Sequence, residues 1–239
     1  MDFIEYNTLL CKVFERLTVT PTKKYAWQCL FENQAPDKNG DMEPSYLPPY
    51  CPTCRKSKRC DHTPSLSVEE IRLHFDQKPW RIGGWRGRTY SGLSICGKFP
   101  GNRCKWVSID MDSPLACEII RVQFIPVLDN LKIDWIWEHS GRVNFEKAHL
   151  MILMDCAMPA MRSLMDLLLE KAGLQDWKKL VRDNDSLSLE MFPYQHEDNM
   201  IRMPGSVHLR TGRVNDCTYK GVRDNSKEHI VKSLSEMHV

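Results

Sequence analysis

The stretch that decides the fold is "WVSIDMDS", residues 106–113, where Val107, Ile109 and Met111 alternate with Ser108, Asp110 and Asp112. Successive side chains of a strand point to opposite faces, so this reads as a strand with one apolar face and one acidic face. Like charges on one face repel, and burying either without compensation is costly. Two explanations fit. Either the acidic face is the solvated side of an edge strand, or something cationic sits against it.

Working outward, the same alternation recurs in "LSLEMF", where Leu187, Leu189 and Met191 oppose Ser188 and Glu190. "AHLMILMD" is a nearly all-apolar run and reads as a buried strand, with "KIDWIWEHS" as a strand before it. "MPAMRSLMDLLLEKAGL" places Pro159 in a first turn, runs Met161, Leu164, Met165, Leu168, Leu169 and Ala172 down one stripe, and stops at Gly173, a helix from start to end. "ACEIIRVQFIPVLDNL" reads as a helix disturbed near Pro126. Upstream, "YNTLLCKVFERL" has helical spacing, residues 35–50 have loop chemistry, and "SVEEIRLHF" opens with a capping box for a short helix. "RIGGWRGRTYSGLSI" suggests strands joined by glycine turns, and "NMIRMPGSVHLRTG" a strand, a Pro-Gly turn and a second strand. The expected fold class is α+β, with a mixed or antiparallel sheet flanked by helices and a small metal-binding module.

The chain's 239 residues, 42% of them hydrophobic, allow one sizeable core with an appended module. No apolar run approaches the roughly 20 residues that span a bilayer, and "MDFIEYNTLL" lacks a secretory pattern, so a cytoplasmic protein with no membrane partner is expected. A net charge of +2 leaves any nucleic-acid binding to local patches.

Ten cysteines are unevenly spread. "CPTCRKSKRCDH" offers Cys51, Cys54, Cys60 and His62 as a tetrahedral Zn²⁺ set, with Cys96 and Cys104 as alternatives to His62 or as part of a second site. Arg55, Lys56, Lys58 and Arg59 on that knuckle suit a nucleic-acid backbone. Trp80, Trp85, Tyr90 and Trp106 are available to stack on bases or to anchor the core.

Taken in order, "SIDMD", "EHSGRVNFEKAHLMILMD" and "SLEMFPYQHEDNMIRMPGSVHLRTG" resemble the successive motifs of the archaeo-eukaryotic primase (AEP) superfamily, in particular its primase-polymerase members, over about residues 50–213. The resemblance implies an RRM-like catalytic core. It implies that Asp110, Asp112 and Glu190 hold two Mg²⁺ or Mn²⁺ ions. It also implies that His149 meets the triphosphate of the incoming nucleotide, with Ser140 in the loop leading to it. Arg142, Lys147, Arg202 and Arg210 supply cations that could pair with phosphate oxygens, and His208 points along the hairpin with Arg210. Gln195 and Asn199 match polar positions of the motif without an assigned role. The segment "SGRVNFEKAH" departs from the family's tight Ser-x-Ser-Gly-x-Gly-x-His run by lacking a second glycine.

The expected organisation is an N-terminal helical and loop region (1–50), a zinc knuckle (51–66), a catalytic core (67–225) and a tail (226–239). The expected activity is primer synthesis or extension on single-stranded DNA from nucleoside triphosphates, in the cytoplasm or on intracellular DNA of a mobile element or virus. No G-x-x-x-x-G-K-[ST] loop occurs in the sequence, so any unwinding is expected from another protein, such as a separate helicase, or from a region outside this sequence. A catalytically degenerate zinc-containing nucleic-acid-binding domain and a metal-dependent nuclease are the alternatives.

Overall fold

A computed structural model describes residues 97–99, 101–139, 147–195, 201–202, 204 and 217–220, together with strand backbone at 27–31, 46–47, 80–81 and 89–95. The chain divides into two units, 1–96 with 200–216 and 97–199 with 217–239. The expected boundaries near 50, 66 and 225 lie outside the described residues, as do the helices expected around residues 6–17 and 67–75.

In the first unit, β1 (Trp27–Phe31), β2 (Tyr46–Leu47), β3 (Trp80–Arg81), β4 (Thr89–Ile95) and β10 (Ile201–Arg202) form an antiparallel sheet in the order β10-β4-β1-β2, with β3 also on β4. Two of these strands flank the glycine turns expected between Arg81 and Ile95. Tyr46–Leu47 lies within the stretch read as loop. Its two residues acquire strand geometry by pairing with Cys29 and Leu30, a long-range contact that local composition does not encode.

The second unit carries β5 (Lys98–Phe99), β6 (Arg103–Met111), β7 (Trp135–His139), β8 (Ala148–Ala157), β9 (Leu189–Phe192) and β11 (Cys217–Lys220). Their order is β11-β7-β8-β6-β5, with β9 also on β6, and every pairing is antiparallel. Between β5 and β6 the chain turns through Gly101 and Asn102 at φ +73° and +57°, a left-handed geometry that glycine and asparagine tolerate.

The expected alternation of β6 holds. Val107, Ile109 and Met111 are fully buried in a core with Leu150, Ile152 and Met154 of β8 and Leu189 and Met191 of β9. Each such aliphatic burial stabilises the fold by about 1.5–3 kcal/mol. The covering layer includes α3 (Met158–Lys171), whose Met161, Leu164, Met165, Leu168 and Leu169 enter the same core. Pro159 sits in its first turn, and Gly173 follows its end at φ +70°. α4 (Trp177–Asp183) adds Trp177 to the core.

The segment disturbed by Pro126 resolves into α1 (Pro114–Ile119), a π-helical turn (Ile120–Phe124) and α2 (Ile125–Asn130). Pro126 donates no N–H, and its ring crowds the carbonyl four residues back. The wider π turn accommodates the change of spacing, with Ile125 N–H reaching Ile120 O. Among the described residues, no helix is long and apolar enough to cross a membrane.

Candidate active site

The acidic face of β6 is one position in a row that crosses the second unit's sheet. Asp110 pairs in register with Glu190 of β9 on one side and His149 of β8 on the other. His149 pairs in turn with Glu138 of β7. Register partners in antiparallel strands project to the same face, so Glu190, Asp110, His149 and Glu138 stand side by side at strand spacings of about 4.8 Å. Asp112 lies just past the strand's end on the same alternation, beyond Asp110.

The side chains connect along this row. His149 Nε2 lies 3.5 Å from Asp110 Oδ1, and its Nδ1 lies 2.9 Å from Glu138 Oε2. Lys147, at the foot of β8, donates from Nζ to Asp112 Oδ1 at 2.6 Å. Burial pushes the Asp110 carboxyl above the ordinary carboxylate range; repulsion from Asp112 and Glu190 adds to this, while His149 and Lys147 pull the other way. Two positions back on the same face, the buried Ser108 hydroxyl has no hydrogen-bond partner among the described residues.

Several backbone ties hold the carboxylates. Asp112 N–H donates to Ser188 O at 3.1 Å. The Ser113 hydroxyl accepts from Ala116 N–H, capping α1, and from Ser188 N–H, each at 3.2 Å. On the outer side of β9, Met191 N–H donates to Gln195 Oε1 at 2.5 Å and Gln195 N–H returns to Met191 O at 2.9 Å. Gln195, without a role on sequence grounds, therefore satisfies the edge of the strand that carries Glu190.

The sequence-predicted residues separate into three groups. Asp110, Glu190, His149, Asp112 and Lys147 come together. Arg202 lies on β10, in the other unit, and only its strand pairing with Ser94 is described. Ser140, Arg142, His208, Arg210, the cluster Cys51, Cys54, Cys60 and His62, the alternative Cys96 and the basic residues Arg55, Lys56, Lys58 and Arg59 lie outside the described residues.

Two further residues named in the sequence analysis lie in the described core. Cys104, an alternative zinc ligand, is buried in the apolar core with its thiol directed to Trp106 O at 3.2 Å, a setting suited to a structural thiol. Trp106 is 1% exposed, so it has no open face for a base and acts as a core anchor. The residue that sequence reading missed is Glu138. Alternation in "WIWEH" sets it on the face opposite Trp135 and Trp137, but nothing local indicates that a histidine stands across from it.

Three carboxylates of which at least two keep solvent access are hard oxygen donors of the kind Mg²⁺ and Mn²⁺ take, and added positive charge would relieve the repulsion around Asp110. The donor chemistry fits such an ion. Among the described residues no three His, Cys, Asp or Glu side chains already converge as a ligand set, and the Lys147 ammonium rests on Asp112.

No family model matches the chain, and no curated protein matches it in sequence. Among solved structures, it is similar to the AEP domain of the primase-polymerase (PrimPol) of cyanophage S-2L, with a TM-score of 0.44 and 12% identity over 93% of this chain and 95% of that one. A likeness at this level says nothing about the chemistry of individual residues.

Proposed function

We propose that the chain is a template-directed nucleotidyltransferase that makes or extends primers on single-stranded DNA, with Asp110, Asp112 and Glu190 as ligands of two divalent ions and His149 as a contact to the triphosphate. The observation that carries this reading is the cross-strand row of Glu190, Asp110 and His149, with Asp112 beyond it. Carboxylates separated by about 80 residues in sequence meet on one face of one sheet, beside an imidazole and a lysine.

When bound, the ions would activate a primer 3′-hydroxyl and neutralise charge on the phosphates. The residues of the chain supply positions. Asp110 and Glu190 sit opposite each other on rigid, hydrogen-bonded strands, which limits the reorganisation needed on binding. His149 offers Nε2 beside Asp110, within reach of a phosphate oxygen held at the carboxylates. Lys147 rests on Asp112 Oδ1, and with an ion held at the carboxylates its ammonium would be available to a phosphate. A zinc knuckle at Cys51, Cys54, Cys60 and His62, with its basic residues on the template, belongs to the same proposal.

The test is incorporation of labelled deoxy- or ribonucleotides on single-stranded template with Mn²⁺ or Mg²⁺, repeated with Asp110→Ala and Asp112→Ala. The wild type should extend, and each variant should lose at least roughly a hundredfold in rate. Product formation that survives both substitutions removes the carboxylates from catalysis. The Lys147–Asp112 pair favours a second reading, a non-catalytic nucleic-acid-binding domain in which the lysine permanently replaces an ion. Template binding without product under either metal would select it.

A further inference from the structure

Glu138 is fully buried on β7, between Trp135, Ile136 and Trp137 on one side in sequence and the exposed His139 on the other. A carboxylate out of reach of water is costly unless a charged or hydrogen-bonding partner meets it. The partner here is His149 Nδ1, 2.9 Å from Glu138 Oε2 and directly across the ladder between β7 and β8. The other ring nitrogen, Nε2, is 3.5 Å from Asp110 Oδ1 on the next strand. The imidazole thus has one nitrogen at a buried acid and the other at the acidic face. Apolar side chains at both 138 and 149 would pack as well or better, since buried ion pairs often lose to apolar replacement of both partners. What the acid adds is direction.

When Glu138 is ionised it can only accept, so a bond to Nδ1 then places the proton there, and the contact fixes the plane of the ring. We infer that Glu138 is a positioning residue, holding His149 by Nδ1 so that Nε2 faces the acidic side of the sheet and, when the ring carries both protons, donates to an anionic group of the substrate. The inference rests on the nucleotidyltransferase reading only for the identity of that group, a nucleoside triphosphate. Outer partners of this kind change affinity or rate by about 10–100-fold when removed.

The experiment uses the full chain with Glu138→Gln, and His149→Gln to assign the ring signals. Long-range proton–nitrogen spectra read which imidazole nitrogen carries the proton. In the wild type Nδ1 should be protonated and protected from exchange. In Glu138→Gln, whose amide can either donate or accept, that signature should weaken. The KM for nucleotide should then rise roughly tenfold with a smaller change in kcat. A wild-type ring with unprotonated Nδ1, or a Glu138→Gln protein with unchanged ring spectrum and KM, overturns the inference. If Glu138→Gln fails to fold, the wild-type spectrum alone decides. If the wild type makes no product, the proposed activity falls while the ring spectrum still tests the positioning role.

Discussion

At the Arg103 end of the ladder between β6 and β8, one carboxylate faces two cations; at the Asp110 end, four carboxylates, Asp110, Asp112, Glu190 and Glu138, face one lysine and one histidine. Asp155 accepts from Arg103 Nε at 3.1 Å, from Arg103 Nη2 and from Lys105 Nζ at 2.5 Å. Burial alone would raise its carboxyl, but the hydrogen bonds from Lys105 and Arg103 outweigh it and hold it below the ordinary range. Asp110, on the same two strands, is held above that range. The difference teaches where to look for chemistry. A carboxylate whose charge is matched by its neighbours ties strands together, whereas a set with too little positive charge around it weakens the fold and is a candidate for function.

The largest expected effect tests what the two ends share. Leu150→Ala, at a fully buried position opposite Ile109, should cost about 2–5 kcal/mol in denaturant unfolding. A cost below 1 kcal/mol would mean that the strands are not supported from the helical side.

Next comes Asp110→Asn, which should stabilise the protein at pH 7 by roughly 0.5–2 kcal/mol while removing the proposed activity. The sign follows from linkage. A carboxyl raised in the folded state favours the protonated form, so its ionised form weakens the fold at neutral pH. The gain should be full above the raised folded-state value and vanish as pH falls below the ordinary carboxylate range. A lower Tm for the variant at pH 7 would erase the contrast between the two ends.

Asp155→Asn should act in the opposite sense and more weakly. Its carboxyl is lowered in the folded state, so it contributes stability above the ordinary carboxylate range and loses it as pH falls through the folded value. With 43% of the side chain exposed, solvent screening reduces the loss to about 0.5–1 kcal/mol at pH 7. A stabilising Asp155→Asn, or one whose effect grows in acid, would show that the two ends do not differ as described.

Much of this second unit was legible in the sequence because its signals are local. Alternation gave β6 and β9 their faces, and the Pro159 start and Gly173 stop framed α3. The disturbance at Pro126 appeared as a π turn just before it. β5 and β11 were not legible. β5 is two residues long, and β11 reads Cys-Thr-Tyr-Lys and exists through pairing with β7, some 80 residues earlier. The site divides in the same way. Asp110, Asp112, Glu190 and His149 could be picked out by residue type and order. The Glu138–His149 and Lys147–Asp112 pairs depend on register between strands, which one strand's sequence does not specify.

The Ser113 hydroxyl uses its oxygen twice, for the first turn of α1 and for the start of β9. Helix nucleation and the closing of the sheet edge therefore share one atom. A chain in which that turn has not yet wound lacks this shared tie, and at the junction only the bond from Asp112 N–H to Ser188 O holds Asp112 beside the strand that carries Glu190. The acidic row is therefore fully tied only once a local helix and a strand 75 residues away have both formed.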